Sequence, residues 1–300
     1  MNKLIIAAGT GFLGNVLTEY FKKDAQEIIV LTRGKARRHG NVKYVHWDAQ
    51  SFTGWEQELE GADVLINLAG KSVDCRYTEV NKNEIIASRI NSTTILNKAV
   101  LQCKTPPAHW LNSSTATIYR HSEDRQMDEA TGEIGHDFSM NVAKMWEKAF
   151  FQTVTPGTLK TALRTSIVLG TYGGAFVPLK RLAQVGFGGT QGSGNQFISW
   201  IHEKDFARAV DFIINNKMEG VLNVVSPTPE RNHAFMKALR KRVAMPFGIP
   251  IGKILLEIGA KIIGTETELV LKSRNVIPAR LAESGFEFQY GNLEKALKNL

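Results

Sequence analysis

Three hundred residues with 43% hydrophobic content are enough for one large domain or two modest ones around a sizeable core. No apolar run reaches the ~18 residues of a membrane span, no charged lead-in with a cleavage site precedes the first apolar run, and two cysteines, Cys75 and Cys103, supply neither a disulfide framework nor a metal set. A reducing cytoplasm is therefore expected, with no membrane association. The 37 basic against 29 acidic residues, net +8, serve solubility or attraction to a polyanion, and a phosphate-rich cofactor meets that description as well as nucleic acid does.

The chain opens on an apolar, β-branched run, Leu4 to Ala8, that reads as a buried parallel strand. It breaks into Gly9-Thr10-Gly11-Phe12-Leu13-Gly14, then into an amphipathic run with Val16, Leu17, Tyr20 and Phe21 on one helical face. Strand, glycine turn and helix in that order form a candidate dinucleotide site. The glycines allow a tight turn, a close approach of backbone to pyrophosphate, and close packing of helix on strand. The helix start offers free N–H groups and the positive end of a dipole.

Further strands are expected at 27–32, 42–47, 64–70, 109–113 and 159–169, with helices near 79–102 and 138–152. Such alternation argues for an α/β fold, a doubly wound parallel sheet of Rossmann type. Glycines then crowd from Gly186 to Gly194, read as a loop over a cleft. A short strand (196–200), a helix (202–215) and another strand (221–225) follow, and the tail from Met245 reads as mostly helical. The expected division is a dinucleotide-binding domain at 1–170, to which elements of 196–225 partly return. A smaller substrate lobe at 171–300 ends in a small unit from about 245. The basic cluster Lys237, Arg240, Lys241 and Arg242 lacks interleaved aromatics and reads as a solvated helix face, so no nucleic-acid partner is expected.

Choice of cofactor turns on the end of the second strand, where an NAD site places an acid roughly 20 residues past the glycines. Here the stretch is Leu31-Thr32-Arg33-Gly34-Lys35, without an acid. Arg33 can grip a 2′-phosphate bidentately and Thr32 can donate a hydrogen bond to it, which favours NADP(H) over NAD(H). Asp48 either accepts from the adenine amino group or caps the next turn.

With the glycine turn, Asn67-Leu68-Ala69-Gly70 and Ser113-Ser114-Thr115-Ala116-Thr117-Ile118-Tyr119 in place, the chain resembles the extended short-chain dehydrogenase/reductase superfamily. More narrowly it is similar to an atypical branch described as nucleoside-diphosphate-sugar epimerases. The matching stretches are Ser88-Arg89, Thr93-Thr94, Trp146-Glu147, Gly173-Gly174-Ala175 and the run from Gly192 to His202, with Asp205 after it. A C-terminal domain of unknown function closes that branch, and the tail through Val276-Ile277-Pro278 and Gly285-Phe286-Glu287-Phe288 resembles it. The resemblance implies that Leu68, Ala69, Gly70 and Ser113 line the cofactor, that Thr115 polarises a substrate oxygen, and that homodimers form through helices.

Three departures stand against that pattern. Alanine at 8 and glycine at 9 exchange the residues the family usually carries there, which points to an altered backbone geometry. The superfamily's acid/base tyrosine, four residues before a lysine, is missing. If Lys144 is the lysine, Met140 stands at the tyrosine position, and in the alternative register the pair is Ser139 and Ala143. Third, Ile198 occupies the place of a nucleotide-binding arginine. Tyr119 is the candidate substitute acid/base if it faces the crevice, otherwise a packed aromatic. Arg76, Arg181, Trp200 and His202 are the candidate substrate contacts; Arg76 equally suits a surface ion pair and His202 a structural role. Two readings follow. One is an NADP(H)-dependent epimerase, reductase or dehydratase acting on a small carbonyl, hydroxyl or sugar-nucleotide-like substrate; the other is a degenerate NADP(H)-binding sensor.

Overall fold

The computed structural model describes residues 1–257, 264 and 266–300. Its elements in chain order are β1 (Lys3–Ala7), α1 (Phe12–Phe21), β2 (Glu27–Thr32), β3 (Arg37–His39), β4 (Val42–His46), β5 (Val64–Asn67), α2 (Glu79–Gln102), β6 (His109–Thr115) and α3 (Phe138–Phe151). They continue with β7 (Leu159–Thr165), β8 (Ile167–Gly170), β9 (Gly173–Gly174), α4 (Phe176–Gln184), β10 (Phe197–Ile198), β11 (Trp200–His202), α5 (Glu203–Asn215), β12 (Gly220–Val224), β13 (Glu230–Arg231) and α6 (Asn232–Arg242). Short helices at Glu268–Leu271, Ala279–Glu283 and Leu293–Asn299 punctuate the tail.

The main sheet runs β12-β7-β6-β5-β1-β2-β4-β3, parallel throughout except for the antiparallel edge strand β3. Chain order reverses at β1, which pairs with β2 on one side and β5 on the other, so a crevice opens at their C-terminal ends. Alternate residues of each strand feed opposite cores. Leu4, Ile6, Ile28, Val30 and Ile66 pack with Leu17, Phe21, Phe206 and Val210, whereas Ile5, Ile29, Leu65 and Trp110 pack with Leu96, Ala99 and Phe150. Strands covered on both faces explain why these segments read as unbroken apolar runs.

Four expectations need correction. The run 159–169 is two strands, because the chain leaves the main sheet at Ser166 and β8 pairs instead with β11 and β9. The run 196–200 likewise splits at Ser199, whose hydroxyl donates to the Arg274 carbonyl (2.7 Å) and accepts from the Val276 amide (2.9 Å). The glycines at 186–194 pack on the tail: Gly192 N donates to Ile251 O at 2.9 Å, and a Cβ on Gly189 would stand 2.1 Å from Ile249 O. Finally, α6 is not merely a solvated basic face, since Arg240 and Arg242 donate to the carbonyls of Gly188 (2.6 Å) and Leu297 (2.7 Å).

The turn after β1 keeps its left-handed residue. Ala8 has φ +57°, a conformation that favours glycine, while a Cβ on Gly9 would lie 2.8 Å from Ile6 Cγ2. Alanine at position 8 therefore carries strain that glycine would not. Ala8→Gly is expected to raise stability by about 0.5–1 kcal/mol, the left-handed penalty less the entropy glycine loses. The urea midpoint measures it; a lower midpoint would show that Ala8 is unstrained.

Candidate active site

The glycine turn forms a cradle at the switch point. A Cβ on Gly14 would stand 2.2 Å from the Gly9 carbonyl oxygen, so α1 can sit this close to β1 only with glycine there. No side chain caps the start of α1, and the space above Gly11 is open. The first amides of the helix are thus free donors toward an anion. Thr10 is exposed at the rim and Leu13 half-buried. The Phe12 ring is taken up elsewhere, because added Cβ atoms on Gly170, Gly173 and Gly174 would meet it at 2.3, 2.5 and 2.9 Å. Phe12 can offer a cofactor its amide while its ring wedges against the β8–β9 turn.

At the end of β2, Thr32 Oγ1 accepts from Gly34 N at 3.1 Å and fixes the turn that carries the exposed Arg33. Neighbouring arginines are occupied: Arg37 lies 3.8 Å over the Tyr44 ring and Arg38 pairs with Glu27 at 2.8 Å. Asp48 resolves to the turn-capping alternative. Its carboxylate accepts from Gln50 N (2.8 Å), Ser51 N (2.9 Å) and Ser51 Oγ (2.5 Å), and the Ser51 bonds chiefly hold its pKa down to about 2.

Across the crevice, buried Asn67 shapes the next turn, accepting from Ala69 N at 3.0 Å and donating to Asn112 Oδ1 at 2.7 Å. Leu68 N donates to Ala7 O at 3.0 Å, tying that turn to the cradle. Gly70 leaves room for the Arg89 guanidinium, which a Cβ there would meet at 3.1 Å. Ser113 is half-buried near the C-terminal end of β6.

The proposed catalytic trio is not assembled. Thr115 is half-buried and caps the short helical turn Ala116–Ile118, its Oγ1 accepting from Thr117 N at 3.1 Å and hydrogen-bonded to Thr117 Oγ1. Tyr119 does not face the crevice. It is 1% exposed, donates to Asn223 Oδ1 (3.0 Å) and accepts from Arg164 Nη1 (2.8 Å); burial raises its pKa against the opposing pull of Arg164. Lys144 Nζ lies at the surface, 3.4 Å from His136 Nδ1. Neither register of α3 supplies a proton carrier of the usual kind. Met140 is buried with its sulfur accepting from Asp137 N at 3.4 Å, Ala143 is buried, and Ser139 donates to Glu268.

Substrate candidates fare similarly. Arg76 pairs with Glu266 at 3.2 Å, the ion-pair alternative. Trp200 is a core residue, fully buried, with Nε1 donating to Thr228 O at 3.0 Å. His202 is a helix cap: Nδ1 accepts from Lys204 N at 3.1 Å, the ring stacks 4.0 Å from Tyr290, and burial lowers its pKa to about 4. Both residues are removed from the substrate set. Arg181 is exposed on α4.

Sequence reasoning passed over the network that holds the floor of the site. Glu147 receives Ser114 Oγ (2.6 Å) and a bidentate Arg164, Nε and Nη2 each at 2.8 Å. The Trp146-Glu147 match and Arg164, inside a run read as a strand, were the available signals. Tyr77, Arg89 and Arg274, also near the crevice, had none beyond the Ser88-Arg89 match.

A glycine cradle at the switch point of a doubly wound sheet defines a dinucleotide-binding Rossmann protein. The chain belongs to the NAD dependent epimerase/dehydratase family, which matches residues 4–225, and residues 254–300 match a domain of unknown function, DUF1731. It is 32% identical over 302 residues to the epimerase family protein YfhF of Bacillus subtilis, covering 99% of this chain and 97% of that one. The human epimerase family protein SDR39U1, solved with NADPH, superimposes with a TM-score of 0.86 at 27% identity, covering 99% of this chain and 98% of that one. A nucleoside-diphosphate sugar epimerase from Corynebacterium glutamicum matches with a TM-score of 0.77 at 25% identity, over 99% of this chain but 58% of that one. Among the described residues, no helix is long and apolar enough to cross a membrane.

Proposed function

We propose that the chain binds NADP(H) in the crevice between β1 and β5 and acts, as an epimerase or reductase, on a small carbonyl, hydroxyl or sugar-nucleotide-like substrate. The carrying observation is the pairing of the free α1 amides with an exposed Arg33, where an NAD site would hold an acid. The human relative solved with NADPH supports the same preference. Gly9, Gly11 and Gly14 would admit the pyrophosphate, Arg33 would hold the 2′-phosphate, and the Leu68–Gly70 turn would line the far wall. When bound, the nicotinamide supplies or takes up a hydride. On the protein side, Thr115 would orient the substrate oxygen, and a water or the substrate itself would carry the proton.

A second reading is favoured by the observations on α3 and Tyr119. With Met140, Ala143 and Tyr119 buried, the chain would bind NADP(H) as a sensor without turnover. Fluorescence titration with NADPH and NADH, followed by a screen of carbonyl and sugar-nucleotide substrates, separates the two. Thr115→Ala abolishing turnover with unchanged NADPH binding supports the enzyme; tight binding without turnover of any substrate supports the sensor. Arg33→Ala is expected to weaken NADPH ~10–100-fold, the worth of a charge-assisted contact, with NADH within about twofold. Equal losses for the two cofactors would remove the 2′-phosphate contact.

A further inference from the structure

Beside the Leu68–Gly70 turn and along α3 stand three hydrogen-bond donors, Arg89, Arg274 and Tyr77, whose acceptors among the described residues do not satisfy all of them. Arg89, on α2, spends Nη1 on the carbonyls of Lys71 and Ile85, both at 3.0 Å, and lies 5.0 Å over the Trp146 ring; no carboxylate among the described residues pairs with it. Arg274 comes from the tail, its side chain 13% exposed, with Nη1 buried and unpartnered. Its other nitrogen is 3.7 Å from Glu268 Oε1, an oxygen that already accepts from Lys272 at 2.9 Å and from Ser139. The Tyr77 ring packs tilted against Phe138, centroids 4.8 Å apart, and its hydroxyl is buried and unpartnered among the described residues.

Tyr77 packs on Phe138, whose neighbour Ser139 donates to the Glu268 carboxylate that faces Arg274, and Arg89 lies over Trp146 two turns further along α3, so all three donors stand against the same helix. Burial lowers both arginine pKa values to about 10, still far above neutrality. Lys272 also binds Asp137 and Arg76 binds Glu266, so the carboxylates paired with the cations around Tyr77 are, among the described residues, those of Asp137, Glu266 and Glu268. Buried donors without acceptors, two of them cationic, are costly to maintain. Planar guanidinium forks and a phenol O–H suit one class of ligand, an oxyanion.

We propose that Tyr77, Arg89 and Arg274 bind a carboxylate or phosphate group of the substrate at the mouth of the crevice beside Gly70. Calling the ligand a substrate rests on the reading of the crevice as a cofactor site; anion binding itself does not. The test is calorimetric titration of the full chain with inorganic phosphate and with succinate, each with and without saturating NADPH. One of the two is expected to bind, and which one identifies the group. Arg274→Met is expected to weaken that anion ~10–100-fold and Tyr77→Phe ~2–10-fold, with NADPH affinity unchanged in both.

Neither variant should fail to fold. The Arg274 main chain is held separately, by Phe197 O and Ser199 Oγ, and Tyr77→Phe removes only an atom that has no partner. A wild type that binds neither probe overturns the proposal, and so does binding that both variants leave unchanged. Anion binding that depends on both residues in a chain that does not bind NADPH would uphold this site while the cofactor reading fell.

Discussion

Replacing Glu147 by alanine is expected to destabilise the fold by about 3–5 kcal/mol, the cost of stranding a buried partner charge. Arg164 sits on β7 with its side chain 9% exposed, and Glu147 on α3 is 12% exposed. Burial works against the charge on Arg164, but the Glu147 hydrogen bonds and charge outweigh it, and the guanidinium pKa is raised. From this pair the bonds run outward to Ser114 on β6, to Tyr119, and through Tyr119 to Asn223 on β12. Asn223 Nδ2 then donates to Ile277 O in the tail at 2.9 Å.

One carboxylate therefore orients groups on two sheet strands and one helix, and its loss is felt beyond the pair. Domains of ordinary stability hold about 5–15 kcal/mol in total, so such a loss is a large fraction. Tyr119→Phe, which removes one hydroxyl, should cost only about 1 kcal/mol by comparison. Denaturant unfolding of both variants decides the point. A Glu147→Ala loss no larger than that of Tyr119→Phe would mean that Arg164 finds solvent or another anion once Glu147 is gone.

The second large effect belongs to the cradle. Gly14→Ala would place a methyl group 2.2 Å from the Gly9 carbonyl oxygen and 2.4 Å from its carbonyl carbon and Cα. These are backbone atoms at the mouth of β1, so no side chain can rotate away; α1 has to shift instead. Overpacking of this kind costs about 1–3 kcal/mol, and the shift also moves the helix amides that are to meet the pyrophosphate. NADPH affinity is expected to fall on the order of 100-fold, since 1.4 kcal/mol is tenfold in a dissociation constant. Gly11→Ala adds its methyl to open space, so it is expected to leave stability near that of the parent chain while still crowding the pyrophosphate, which separates strain on α1 from loss of room for the cofactor. Should Gly14→Ala bind NADPH as tightly as the parent chain, the turn would not be the phosphate site.

The two variants draw on different kinds of information in the chain. Gly9, Gly11 and Gly14 act on one another across a few residues, and a spacing is visible in a string of letters. The same holds for the alternating strands and helices, and for the missing acid after β2.

Tyr119, Trp200 and His202 were misread because a side chain's role depends on what the fold brings to it. Tyr119 is satisfied by residues 45 and 104 positions away. His202 stacks on Tyr290, and Trp200 donates to a carbonyl 28 residues on. Each carries a group that chemistry could use, and burial removes it from the crevice, with a partner for Tyr119 and Trp200 and, for His202 Nε2, without one among the described residues. The reverse holds for Tyr77 and Arg274, unremarkable in sequence, whose hydroxyl and Nη1 are buried without a partner among the described residues.

By itself, then, the sequence determined the sheet, the glycine turn and the sign of charge at the end of β2, because strand periodicity, turn sterics and the absence of an acid act over a few bonds. Only the tertiary structure decided which polar groups are consumed in holding the fold and which still face the crevice, because desolvation and hydrogen-bond pairing depend on neighbours that lie far away along the chain.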